Sequence, residues 1–157
     1  MRYLLIDRVL EFDRDRRVVA IKNVTLESDV MEHHAPGFPL FPGALTLESM
    51  AQAAGYLVVR SLMETTGAPV TAALSSIGRA HFRRPVLPGD QLRLTVEWAE
   101  HLPNAAGLTA HADVDGLPAA HARLLLVHRP VDPEQHGEVV AFVRQLFRSL
   151  ERREGLL

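Results

Sequence analysis

Apolar residues recur along this chain with two periods, and the changes between them mark its elements. Tyr3 to Phe12 is apolar with an Asp7-Arg8 interruption and predicts a short turn or helix; Arg17 to Thr25 carries the β-branched residues of a strand. From Ser28 to Gly43 the pattern breaks into acids, His33, His34 and the prolines Pro36, Pro39 and Pro42. Prolines suit neither a helix interior nor a central strand, so this stretch predicts an ordered loop. Ala44, Leu47, Ala51, Ala54 and Val58, with Leu45, Met50 and Leu57 beside them, then return every three or four residues. That spacing predicts a helix from Gly43 to about Met63, apolar on most sides and therefore buried.

After Gly67 and Pro69 the period falls to two. Val70 to Ile77 and His81 to Val86 predict strands, and Pro88-Gly89-Asp90 supplies a turn before Leu92, Leu94, Val96 and Trp98 alternate with polar residues. Leu108 to Val114 alternates again, Asp115-Gly116 is a two-residue hairpin signal, and Ala119 to Val127 follows, so the second half predicts an antiparallel meander. Beyond Pro130 and Pro133, Val139, Val140, Val143, Leu146, Phe147 and Leu150 form one stripe, which predicts an amphipathic helix from Glu134 to about Arg152, packed on its own sheet or on a second copy.

Composition narrows the class. The 157 residues are about one domain's worth, and 47% hydrophobic content is enough for a core. A formal charge of −2 argues against a general grip on nucleic acid. Cysteine is absent, which removes disulfides and thiolate chemistry and fits a reducing compartment. The N-terminal residues meet Asp7 and Arg8 before a secretory apolar run develops, and no stretch approaches the ~20 apolar residues of a membrane helix. The expectation is a cytoplasmic protein without membrane or nucleic-acid partners.

Two features carry candidate chemistry. His34 stands in the proline-held segment His34-Ala35-Pro36-Gly37-Phe38-Pro39-Leu40-Phe41-Pro42-Gly43, which can fix its direction at low entropic cost. Glu48 lies on the following helix on a face shared with Ala44, Ala51, Gln52 and Gly55, where small apolar neighbours should raise its pKa. An imidazole that takes a proton and a carboxyl that gives one are the two players of general acid–base catalysis. Gln52, four residues on, is spaced to hydrogen-bond and orient Glu48, and Gly43 places a backbone N–H at the helix N-terminus where negative charge is favoured. The bland alternative stands beside this: a solvent-facing helix glutamate and a structural or exposed loop histidine. Adjacent His33 and His34 diverge and lack partner ligands at metal spacing, so no metal site is expected. No nucleophile elbow, P-loop or dinucleotide fingerprint is present. Arg79, His81, Arg83 and Arg84 form a local basic cluster, open to two readings, a solvated strand face or a docking site for an acidic carrier.

These residues resemble the beta-hydroxyacyl-[acyl carrier protein] dehydratases of fatty acid synthesis. The resemblance rests on Leu4-Leu5-Ile6-Asp7-Arg8-Val9, on His34 with Pro36-Gly37, Pro39, Pro42-Gly43, Leu45, Glu48 and Ala51-Gln52, and on Phe82 with Pro85-Val86-Leu87-Pro88-Gly89-Asp90. It implies an α+β hot-dog fold, a long central helix wrapped by an antiparallel sheet, over residues 1–130; the amphipathic stripe beyond it makes 131–157 a helical extension expected to pack on the same unit. The resemblance implies a homodimer, or a higher oligomer of dimers, whose sheets join edge to edge and whose sites pair the loop histidine of one chain with the helix acid of the other. Carried onto this sequence, His34 would abstract the C2 proton of a 3-hydroxyacyl thioester, Glu48 would help the C3 hydroxyl leave as water, and the Gly43 N–H would polarise the thioester carbonyl. Gln52, Phe41, Pro42 and Phe82 would line the substrate, and Arg79, Arg83 and Arg84 would dock the carrier. The product would be a trans-2-enoyl thioester, in fatty acid or related lipid or polyketide biosynthesis, with no cofactor required.

Three positions depart from the family pattern: His33 stands where glycine is usual, Ala35 where phenylalanine is usual, and the C-terminal helix lies beyond the family's ordinary end. The smaller Ala35 should enlarge the pocket near His34. A hot-dog acyl thioesterase, told apart by release of free thiol from acyl-CoA, and a noncatalytic dehydratase-like acyl-binding subunit are the alternative expectations.

Overall fold

A computed structural model describes residues 4–27, 30–31, 34–134 and 136–151. Tyr3, Ser28, His33 and Arg152 of the sequence reading lie outside the described residues. Among those described, strands β1 (Arg8–Asp13) and β2 (Arg17–Asn23) precede a 24-residue helix, α1 (Gly43–Thr66). Strands β3 (Val70–Phe82), β4 (Gln91–Leu102), β5 (Ala105–Val114) and β6 (Leu117–Pro130) follow, and helix α2 (Gly137–Glu151) closes the order.

The strands form one antiparallel sheet in the order β1-β2-β4-β5-β6-β3, with β1 and β3 at its edges. Arg8 to Phe12, within the stretch expected as a turn or helix, belongs instead to the edge strand β1. The Asp13–Arg16 turn folds it back on β2, and the Glu11 carboxylate accepts hydrogen bonds from Arg17 and Arg93, holding it across the sheet. The Asp15 amide at that turn donates to Ser61 Oγ of α1 at 2.9 Å, which ties the hairpin to the helix.

Helix α1 contains no proline and runs through Gly55 as far as Gly67. That glycine adopts a left-handed φ of 69° and returns its N–H to the Met63 carbonyl, a C-terminal cap that needs no Cβ. The sheet bends around the helix with its alternate residues inward: Leu92, Leu94 and Val96 of β4, then Ala106 to Val114 of β5 and Ala120 to Leu126 of β6 by twos, all buried. Small alanines on β5 and β6 let the helix approach closely. No helix among the described residues is long and apolar enough to cross a membrane.

The expected meander holds for β4, β5 and β6, with Asp115 and Gly116 both at positive φ in the hairpin turn. It fails for β3. The segments expected at Val70–Ile77 and His81–Val86 are one strand ending at Phe82, made irregular by bulges around Ser75 and Gly78, and its partner is β6 at the far side of the meander. Residues 83–90 therefore cross over rather than turn back. The Pro88-Gly89-Asp90 turn ends that crossover: the Leu87 amide donates to Asp90 Oδ2 at 2.8 Å, and Gly89 and Asp90 exchange backbone bonds with Val24.

The loop expected from Ser28 to Gly43 also needs correction at its start, where Val30 and Met31 are helical and the His34 amide donates to the Val30 carbonyl at 3.0 Å. The prolines begin only at Pro36, so nothing forbids a helical turn before them. Helix α2 starts three residues later than expected, at Gly137. It buries Phe147 and Leu150, and the Tyr56 ring of α1 lies edge-on between Phe12 and Phe147 at centroid distances of 5.9 and 4.9 Å.

Candidate active site

The loop before α1 is shaped by two residues at positive φ, Ala35 (54°) and Gly37 (81°), and closed by a Phe38 N–H to Ala35 carbonyl bond of 2.8 Å. The turn leaves the His34 side chain exposed at its shoulder. The chain is then pinned: Phe41 is buried and its amide donates to the Val86 carbonyl of the crossover at 2.9 Å. Pro42, at the N-cap, gives its carbonyl to both the Leu45 and Thr46 amides. The amides of the first helical residues, Gly43 among them, thus stand outside the helix's own ladder and face outward.

Gly43 has a steric role as well. A Cβ there would lie 3.1 to 3.3 Å from atoms of the Phe82 ring, so the absence of a side chain lets Phe82, at the end of β3, cover the helix N-terminus. The proline-held loop, Phe82 and the start of α1 come together here although they are far apart in sequence.

Glu48 is half-buried one turn into α1. Its Oε1 accepts a hydrogen bond from Gln52 Nε2 at 2.9 Å, the pairing expected from the four-residue spacing. The other end of the Gln52 amide was not foreseen: its Oε1 accepts the Leu5 N–H at 2.8 Å. That bond fixes which way the amide points and leaves its N–H₂ aimed at Glu48. No hydrogen bond or ion pair joins His34 to Glu48 within one chain among the described residues.

Arg79 and Arg83 are exposed and Arg84 is half-buried. Arg79 stands opposite Arg123 of β6, and the Arg83 amide donates to the Ala119 carbonyl. Beside them is a row that sequence reasoning missed. His81, His121 and His111 sit opposite one another on β3, β6 and β5, with His81 stacked on His121 at 4.7 Å and His121 on His111 at 6.1 Å. Packing of the flanking rings strips water from His121, and His81, Arg83, His111 and Arg79 add like charge. Together they lower its pKa below the usual histidine value.

The chain thus offers an exposed histidine on the proline-held loop, a carboxylate oriented by Gln52 and an outward-facing backbone amide at the start of α1. Residues 1–138 match the family model of the FabA-like domain. The chain belongs to the FabA-like family. It is 56% identical over 96 residues to the 3-hydroxyacyl-[acyl-carrier-protein] dehydratase FabZ of Symbiobacterium thermophilum, covering 60% of this chain and 65% of that one. It is 41% identical over 133 residues to the FabZ of Koribacter versatilis, covering 83% of this chain and 84% of that one. Among solved structures, the hot-dog-like protein from Thermanaerovibrio acidaminovorans superposes with a TM-score of 0.62 at 21% identity, over 83% of this chain and 93% of that one. The FabA-like architecture here is therefore the hot-dog fold, α+β, as the resemblance implied.

Proposed function

We propose that this chain dehydrates 3-hydroxyacyl thioesters carried on acyl carrier protein, in fatty acid biosynthesis, with His34 and Glu48 as its catalytic pair. His34 takes the C2 proton; Glu48 gives a proton to the C3 hydroxyl, which leaves as water; the Gly43 N–H stabilises the negative charge that develops on the thioester oxygen. The product is the trans-2-enoyl thioester. The observation that carries this assignment is the Leu5–Gln52–Glu48 chain of hydrogen bonds, which aims one carboxylate from the helix that begins at Gly43. Gln52 orients the acid, and Phe41, Pro42 and Phe82 shape the entrance around Gly43.

The functional unit on this reading is a homodimer. β3 is a long edge strand with Leu74 and Ile77 exposed, and such an edge invites pairing with a second copy. Pairing there would bring His34 of one chain toward Glu48 of the other, in keeping with the absence, among the described residues, of a hydrogen bond or ion pair between them within one chain. Arg79, Arg83 and Arg84, next to Phe82, offer an acidic carrier a basic landing beside the entrance. On this reading residues 1–130 carry fold and chemistry and 131–157 are an extension, whose described helix α2 buries Phe147 and Leu150.

Complementation tests the composite site. His34→Ala and Glu48→Gln are each expected to abolish hydration of enoyl thioesters. Refolded together as a random mixture, they should restore about a quarter of the wild-type sites, since half the dimers are mixed and each mixed dimer holds one intact pair. Normal turnover by either single variant would remove that residue from the mechanism, and a mixture that stays silent would place both residues in one chain's site.

A further inference from the structure

Between α1 and α2 lies an apolar cavity of about 480 Å³, a size that suits a small ligand. From α1 it is lined by Gln52, Gly55, Tyr56 and Val59, and from α2 by Val143 and Leu146, with the N-terminal segment and the start of β3 completing the wall. Gly55 opens onto space: a Cβ built there meets nothing within 4 Å. Gln52 is a polar lining residue on the Glu48 side, where the same side chain holds Glu48, and Thr71 of β3 is another. The cavity thus starts one helical turn from the carboxylate and runs away from it between apolar walls.

We infer that this cavity receives the acyl chain of the substrate, and that α2, through Val143 and Leu146, sets the chain length the protein accepts. This rests on the dehydratase reading for the identity of the thioester, while the cavity's lining independently selects an alkyl chain. A hydrocarbon tail whose thioester end lies near Glu48 has its continuation directed past Gln52, along the α1 stripe of Gly55 and Val59. α2 is the far wall, and without it the cavity would be open to water on that side.

Two arms test this on the full chain, each variant first checked for native circular dichroism and dimer mass. In the first, calorimetry follows binding of unreactive S-alkyl pantetheine thioethers of increasing length. Affinity should rise about fourfold per methylene until the cavity is full. Leu146→Trp from one wall and Gly55→Leu from the other should each end that rise several carbons earlier, and Leu146→Ala should extend it. In the second arm, KM for 3-hydroxyacyl thioesters of graded length should follow the same break points. Affinity that climbs identically in wild type, Leu146→Trp and Gly55→Leu overturns the proposal. So does an altered dimer mass with no alkyl-length dependence, which would make the cavity a seat for the second copy. If Leu146→Trp does not fold, Gly55→Leu decides. Length-dependent binding that the fillers shorten, with no turnover at any length, keeps the acyl cavity and removes the dehydratase reading.

Discussion

Replacing Glu151 by alanine should destabilise the protein more than replacing its partner Tyr56 by phenylalanine, although both changes break the same hydrogen bond. The Tyr56 hydroxyl donates to Glu151 Oε1 at 2.5 Å, and the Arg60 guanidinium donates to that oxygen at 2.7 Å. Tyr56 is 4% exposed, so Glu151→Ala leaves a buried hydroxyl without its acceptor, at about 1–3 kcal/mol. The Glu151 side chain is 38% exposed, so water reaches part of the gap and the lower half of that range, about 1–2 kcal/mol, is expected. Arg60 adds little, because Glu64 Oε1 remains at 2.6 Å and exposed ion pairs contribute about 0–1 kcal/mol. Tyr56→Phe removes donor and need together, keeps the ring between Phe12 and Phe147, and should cost less than about 1 kcal/mol. The double variant should then cost less than the sum, by about 1 kcal/mol of coupling. Urea unfolding of the four proteins reads all of this. The phenol supplies a second readout, since burial first and then the Glu151 bond and charge push its pKa above the ordinary tyrosine range. A raised folded-state pKa means that stability is full below the unfolded value of about 10 and declines as pH climbs past it. Near-ultraviolet titration of wild type minus Tyr56→Phe isolates this group from Tyr3. A Glu151→Ala cost no larger than that of Tyr56→Phe, with no coupling, would refute the idea that this buried hydroxyl anchors α2.

Gln52→Leu removes a donor to the Glu48 carboxylate worth about 1.5–3 kcal/mol, so kcat should fall roughly 10- to 100-fold; steady-state rates and their pH profile check it, and an unchanged kcat would show that Glu48 needs no orienting. Ala35→Gly relieves a left-handed φ of 54° and should stabilise the chain by about 1 kcal/mol in thermal melts; a loss of stability would mean that the methyl is packed rather than strained. In NMR titrations His121 should protonate at lower pH than a free histidine, and His81→Gln should move its midpoint back up. The sign is that of a depressed base: its contribution to stability is present above the unfolded histidine value and lost as pH falls through it.

What could be read from residue order alone follows the range of the interactions. α1 was legible because its burial on most sides and its Gly67 stop are local properties, and β4 to β6 were legible because alternation and the Asp115-Gly116 turn are local too. The pairing of β3 with β6 was not, since it joins Val70 to Pro130 across the whole meander and passes two bulges. The histidine row shows the same limit on a smaller scale. Counting outward from the turn pairs Val114 with Leu117 and would set His111 opposite Ala120; the register shift at Ala112/Asp113 moves it opposite His121 instead. A single extra residue, invisible as a pattern, decides which side chains meet.

The candidate site divides in the same way, and the division explains its design. Glu48, Gln52, Gly55 and Val59 follow one another on α1 at intervals of four, three and four, so they form one stripe along the helix. The polar first half was legible because the bond from Gln52 to Glu48 spans four residues. The Leu5 amide that locks Gln52 lies 47 residues away, and the α2 wall that faces Gly55 and Val59 lies further still. Gln52 is where the two halves meet: its N–H₂ holds the acid, and its flank begins the apolar cavity. On the proposed reading, chemistry at the N-terminal end of the helix and chain selection past Gln52 share no side chain except that one. Changes in α2 can therefore reshape the cavity without moving Gly43, Glu48 or the His34 loop, and a cavity variant that altered kcat on every chain length alike would mean that the two halves are not separable.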